Sequence, residues 1–414
     1  MEDRSKSLGR SSLASSILRR TFALLHRYVG LALAAFLVIE GLTGSLLAFN
    51  MQLERLISPQ LFATPKAGAR RLSLGELAER AEALAPDGQV DYLFTYPNQT
   101  MVRMEPRPVP SMKYRRPIGF TQLFLDPWTG KELGRRDFGN LAQGSINIMP
   151  FVYNVHSELA LGPNGEVVLG VVALIWTIDC FVAFYLTLPP VRREFWRRWG
   201  LAWKVKRNVG AFRLNFDLHR AGGLWLWPML FVFAWSSVML ALPSVYERVM
   251  GALFDYRSET SMLTFAPHSS LRPGLDWISA ERVGAQLLAE QGKLRGFKVV
   301  AEPDTLAYIP EESVYSYGAR TTLDIRGETS DTAVWFDADS GAFRYLFLPS
   351  REHAGNTVGT WLWAMHFADL GDKPAYHAFV CIVGLVIVLL AVTGVYIWLK
   401  KRSARRFHVR RSVL

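Results

Sequence analysis

Cysteine is the scarcest resource in this chain. Its 414 residues hold two, Cys180 and Cys381, and both fall inside apolar runs, so neither belongs to a disulfide framework. They read as small buried side chains. The soluble-type stretches contain no Ser/His/Asp set, no phosphate loop and no close-spaced group of metal ligands. That argues against nucleophilic hydrolysis and against a bare zinc or copper site, which needs more ligands at shorter spacing. Acids are also missing from three places. Residues 1–27, 190–220 and 400–414 carry 22 Lys+Arg against four acids, Glu2, Asp3, Glu194 and Asp217, a balance of +18, whereas the rest of the chain sums to −7.

What is abundant is apolar sequence in blocks. With 50% hydrophobic and 13% aromatic residues, the chain is too apolar in runs to be one soluble globule. Four runs, ending near Phe49, Leu188, Leu242 and Leu399, are long enough at about 1.5 Å per residue to cross a hydrocarbon core of about 30 Å. The first is too long for a signal peptide and has no small-x-small cleavage site, so it is expected to remain as a span. The basic stretches then face one side, which the positive-inside rule makes the cytoplasm. Both termini and the 190–218 loop are expected there, with the two long intervening segments outside. No basic surface is left over for nucleic acid.

The chain repeats itself. Residues 25–31 read LHRYVGL and residues 218–224 read LHRAGGL, placing His26 and His219 alike at the mouths of spans. His156 and His366 precede the other two spans at nearly equal intervals, 32 residues before Leu188 and 33 before Leu399. Each outer segment opens with an amphipathic stretch, at 72–86 and 275–292, and later gives FLDPWTGKEL at 124–133 or WFDADSGAFRYL at 335–346. In both, an aspartate begins a tight turn whose glycine, Gly130 or Gly341, suits a positive φ between strands. The expected fold is therefore a four-helix transmembrane bundle with two α+β domains and a twofold repeat of span, module, span. The expected divisions are a cytoplasmic segment 1–20, spans 21–49, 156–189, 219–243 and 357–400 (the second and fourth with outer lead-ins), outer modules 50–155 and 244–356, a basic loop 190–218 and a basic tail 401–414.

Phase gives the histidines a direction. From His26 one helical face continues through Gly30, Leu37, Glu40 and Gly44, and from His219 through Gly223, Leu226, Leu230 and Ser237. Small residues there let helices approach closely or a flat ligand lie between them. Paired imidazoles on facing helices are how a bundle holds a haem iron, and His26 with His219, and His156 with His366, would form such pairs at opposite membrane faces. His377, in phase with Cys381 and Gly384, is a further candidate beside or in place of His366. The bland reading makes such histidines interfacial caps. The aromatics near His156 and His366 (Phe151, Tyr153, Trp361, Trp363 and Phe367) read as an interfacial belt, and His268, His353 and His408 as surface residues. Glu40 and Asp179 lie within spans, where an acid is costly. Their depths differ, so they are expected not to pair with each other; each serves a proton relay or bonds a neighbouring helix.

These phrases, from LLHRYVGL through FLDPWTGKELG, NVHSEL, DLHRAGGLW and WFDADSGAF to WLWAMHFADLG and AVTGVYIWLKKR, resemble the PepSY-associated transmembrane helix family over nearly the whole chain. The resemblance implies PepSY-like outer domains in the periplasm and a bacterial inner-membrane location. It also implies haem b, two groups, ligated at His26, His219, His156 and His366, and reduction of a ferric siderophore using an unidentified cytoplasmic or membrane electron donor. Ser236-Ser237 stands where the family usually has Thr-Gly. PepSY modules also resemble protease propeptide domains, so a cofactor-free peptidase inhibitor or regulatory partner is the alternative. A transporter is a third reading, for which four spans with few polar groups offer a thin pathway.

Overall fold

The structure is a computed structural model that describes residues 2–66, 68–108, 117–190, 193–258, 273–371 and 373–411, the side chains of 2–15 and 405–411 standing outside that description. Its helices are α1 (Glu2–Leu47), α2 (Asn50–Ile57), α3 (Leu74–Leu84), α4 (Ile148–Glu158), α5 (Pro163–Thr187), α6 (Phe195–Gly200), α7 (Ala211–Trp225), α8 (Trp227–Ala241), α9 (Pro243–Leu253), α10 (Trp277–Arg295), α11 (Ala354–His366) and α12 (Pro374–Arg411). Its strands are β1 (Gly88–Tyr96), β2 (Gln99–Pro106), β3 (Gln122–Leu125), β4 (Glu132–Arg136), β5 (Val299–Ile309), β6 (Val314–Thr321), β7 (Ala333–Asp337) and β8 (Phe343–Phe347). The chain forms two compact units, one of residues 1–48, 154–245 and 375–414, the other of residues 49–153 and 246–374.

The first unit is helical. Among the described residues, Ser16–Leu47, Pro163–Thr187 and Pro374–Ala404 are long and apolar enough to cross a membrane. A fourth span exists if α7 and α8 count as one, for they are bent by 69° at their junction. The span expected over 219–243 includes this bend. Pro228 is the physical reason: it stands in the first turn of α8, lacks an N–H and crowds the carbonyl of Leu224 four residues back, so the helical hydrogen bond to that carbonyl cannot form. The helices meet at small residues. A Cβ at Gly41 would lie 2.6 Å from the Gly384 carbonyl oxygen, and Ser45 Oγ sits 3.0 Å from the Cys381 carbonyl, so α1 and α12 touch backbone to backbone. Cys180 is buried in the apolar core with Leu230, Ala234 and Val383, and its carbonyl accepts from Trp227 Nε1 at 2.8 Å. Both cysteines are free thiols.

The second unit is α+β, and here the structure differs from the expectation of two separate modules. All eight strands form one antiparallel sheet in the order β4-β3-β2-β1-β5-β6-β7-β8. The joint is the pairing of β1 with β5 through Tyr92 and Ala307, Leu93 and Leu306, and Phe94 and Thr305. A single apolar core follows, in which Leu77, Leu93 and Leu125 pack with Leu288, Leu306 and Phe336. Four strands with one helix each bury little alone; joining them covers two edges and extends one core. The two aspartate turns carry the same bonds. Asp126 Oδ1 accepts from the nitrogens of Trp128 and Thr129 and Asp337 Oδ1 from those of Asp339 and Ser340, with Gly130 at φ 65° and Gly341 at φ 72°. Elsewhere Arg136 of β4 forms a buried ion pair with Glu54 of α2 and donates to the Ile146 carbonyl at 2.8 Å.

Candidate functional site

His219 stands on α7 about two turns before the bend, and its segment is pinned by a buried carboxylate. Asp217, fully buried, accepts from Arg213 Nε at 3.0 Å and Arg220 Nη2 at 2.9 Å, and Arg220 also reaches the Leu201 carbonyl at 3.0 Å. An exposed pair of this kind adds little, but a buried carboxylate with several donors holds its backbone in place. His219 Nδ1 lies 3.0 Å from the Leu390 carbonyl and 3.2 Å from Thr393 Oγ1, both on α12. A carbonyl can only accept, so the proton is on Nδ1 and the lone pair on Nε2.

His26 faces it from α1. The two ring centroids are 6.1 Å apart and the ring planes are inclined by 51°. His26 Nδ1 is 2.9 and 3.1 Å from the two carboxylate oxygens of Asp179 on α5. The carboxylate is an acceptor, which again places a proton on Nδ1 and leaves Nε2 outside that contact. Four helical elements therefore converge here: α1 and α7 carry the rings, while α5 and α12 supply the acceptors that orient them.

His156, on α4, is held in a related way. Its Nδ1 is 2.9 Å from Thr43 Oγ1 and 3.1 Å from Glu40 Oε2, both on α1. The Thr43 hydroxyl donates to the Ile39 carbonyl at 2.7 Å, leaving its oxygen to accept. Glycine makes room at both threonine sites. A Cβ at Gly44 would come within 3.0 Å of His156 Cε1, and one at Gly394 within 3.2 Å of His219 Cε1. Thr43-Gly44 and Thr393-Gly394 are thus the same device, a hydroxyl and a gap that together seat an imidazole.

The remaining histidines are more scattered. His366 ends α11 in the sheet unit, with its ring 5.6 Å from that of Phe367. His377 belongs to the helical unit, where it is buried in α12. His353 Nδ1 meets Asp255 Oδ2 at 2.9 Å in an exposed pair. His268 lies outside the described residues, as does the side chain of His408. Downstream of His366, Asp369 accepts from the nitrogens of Gly327 and Glu328 at 2.9 and 2.8 Å, and Arg326 Nε donates to it at 2.9 Å. That gives the HFAD phrase a structural task within its own unit.

Asp179 and Glu40 do not pair with each other; each meets a different histidine. Sequence reasoning missed Thr43, Thr393 and Gly394, and took Gly44 only as a small residue on the His26 face. Their signal was present in GLTGS and AVTGV, a Thr-Gly step inside each of two spans. Among the described residues, no group of three or more His, Cys, Asp or Glu is placed to hold a bare metal ion.

Several apolar helices of spanning length, together with an α+β sheet unit, define a multi-pass membrane protein. The chain belongs to the PepSY-associated TM region family, whose match covers residues 23–401. A comparison with curated proteins gives no match.

Proposed function

We propose that this chain is a b-type cytochrome of the bacterial inner membrane, which carries electrons outward and reduces a ferric siderophore in the periplasm. The observation that carries the reading is the facing of His26 and His219. A metal–imidazole bond is about 2.0 Å and a ring nitrogen lies about 1.1 Å from the ring centre, so one ion held between two imidazoles separates their centroids by about 6.2 Å. The observed 6.1 Å fits, and both Nδ1 atoms are already engaged. Nε2 is left on each ring as the ligating nitrogen. Two imidazoles also suit haem better than a bare ion, which would want four or more protein ligands.

His26 and His219 would hold one haem b, and His156, with His377 of the same unit, a second. A haem held by these residues would supply one-electron redox chemistry between ferric and ferrous iron. The protein's own work is to orient the imidazoles through Asp179, Leu390, Thr393, Thr43 and Glu40, and to seat them against Gly44 and Gly394. The termini and the 190–218 loop face the cytoplasm in this reading, where a reduced donor gives one electron. The sheet unit, a duplicated PepSY-like module whose strand order is the same read from either edge, is periplasmic. There one electron converts Fe(III) to Fe(II), which hard oxygen ligands hold more weakly.

The test is the absorption spectrum of the detergent-purified chain, oxidised and dithionite-reduced, from cells supplied with haem, with a pyridine haemochrome count. Low-spin b-type bands and ferric siderophore-dependent reoxidation are expected. His26→Ala and His219→Ala should each abolish the inner haem. A colourless protein overturns the redox reading and leaves the cofactor-free regulatory one.

A further inference from the structure

We propose, resting on the haem reading above, that Asp179 is the positioning residue that sets the reduction potential at the His26–His219 pair. The motive is an asymmetry between two otherwise similar rings. His219 gives its Nδ1 proton to a neutral backbone carbonyl and a hydroxyl, whereas His26 gives its proton to a carboxylate. A carbonyl fixes direction only. A carboxylate fixes direction and also pulls the imidazole towards imidazolate, which makes Nε2 a stronger donor.

Asp179 lies in α5, a helix of spanning length, and is 8% exposed. An acid at that depth is costly and needs a partner worth having. Its two oxygens straddle one nitrogen, at 2.9 and 3.1 Å, so the partner is His26 and the geometry resists rotation of the ring. Negative charge close behind the ligating nitrogen of His26 would favour the ferric over the ferrous state of a haem held there. Asp179 therefore keeps the inner potential low, which drives electrons onward.

Glu40 repeats the arrangement at another helix contact, with Oε2 3.1 Å from His156 Nδ1. Two carboxylates on helices of spanning length thus stand behind two different histidines, separated from them by 153 and 116 positions of chain. A purely structural acid, there to tie one helix to the next, would predict no electronic consequence.

The measurement is a spectroelectrochemical titration of the purified full chain, wild type against Asp179→Asn and Asp179→Glu. Asp179→Asn retains an acceptor oxygen but no charge. It should keep its low-spin spectrum while the reduced-to-oxidised ratio of one haem, read at the wild-type midpoint, rises about tenfold, equivalent to about 59 mV for one electron. Asp179→Glu should restore most of the wild-type value. An Asp179→Asn protein with the wild-type potential overturns this role and leaves the haem reading standing. If Asn and Glu variants both lose haem, Asp179 acts in folding and the role is likewise overturned. A colourless wild type removes the haem reading itself and this role with it.

Discussion

The carboxylate of Glu281 accepts hydrogen bonds from the backbone nitrogens of Leu74 and Gly75, at 3.2 and 2.9 Å, so α3 is capped at its N-terminus by a residue of α10. This cap crosses from the second half of the sheet unit to the first. Gly75 is what lets the helices meet: a Cβ there would lie 2.7 Å from Ile278 Cα and from the Trp277 carbonyl oxygen.

The first prediction follows from that contact. Gly75→Ala should cost about 1–3 kcal/mol, because backbone atoms cannot give way as a side chain can. Glu281→Ala should cost about 1 kcal/mol through the lost cap. Hydrogen exchange checks the consequence: amides of β1–β4 and β5–β8 should lose protection together. Loosening confined to β1–β4 would show that the shared core is not a cooperative unit.

A second prediction concerns acid. The bond from Arg344, followed by the backbone N–H of Ser340, holds the Asp337 carboxyl well below the usual carboxylate range. The folded chain therefore binds fewer protons than the unfolded chain as pH falls. The stabilisation is full above the ordinary aspartate value of about 4 and fades on acidification below it. Thermal melts of wild type and Asp337→Asn should differ at pH 7 and converge towards pH 2. A constant gap across that range would mean the turn does not depend on the charge.

The third prediction tests the helical unit. Gly384→Val should lower the melting temperature in detergent, since a Cβ there would lie 2.4 Å from Ser45 Oγ and 2.8 Å from the Gly41 carbonyl oxygen. The expected cost is about 1–3 kcal/mol. Gly223→Ala is the control, because its Cβ would first meet Leu390 at an ordinary 3.8 Å. Equal effects of the two would show that close backbone approach is not what joins α1 to α12.

Much of this was legible beforehand, for identifiable reasons. The aspartate turns are local: Asp126 and Asp337 bond backbone nitrogens two and three residues ahead, and glycine takes the positive φ that follows. The capping box of Ser73 and Glu76 is local as well. The break before α8 was legible in principle, since Pro228 stands in plain sight, but a proline within an apolar run can also be absorbed by a kink. Its resolution as a 69° bend depends on what packs around Leu226.

The pairings could not be read in this way. Whether two four-stranded halves stand apart or join edge to edge depends on strand edges far apart in sequence, and only in three dimensions does β1 find β5. The same holds for the site. Period and repeat determined that His26 and His219 sit on helices beside stripes of small residues, because those regularities act over a few turns. Tertiary structure alone decided that Asp179 serves His26, that Glu40 and Thr43 serve His156, and that a carbonyl of α12 serves His219. A hydrogen bond is satisfied by whichever group the packing of backbones brings within about 3 Å, and the order of residues along one chain does not encode that distance.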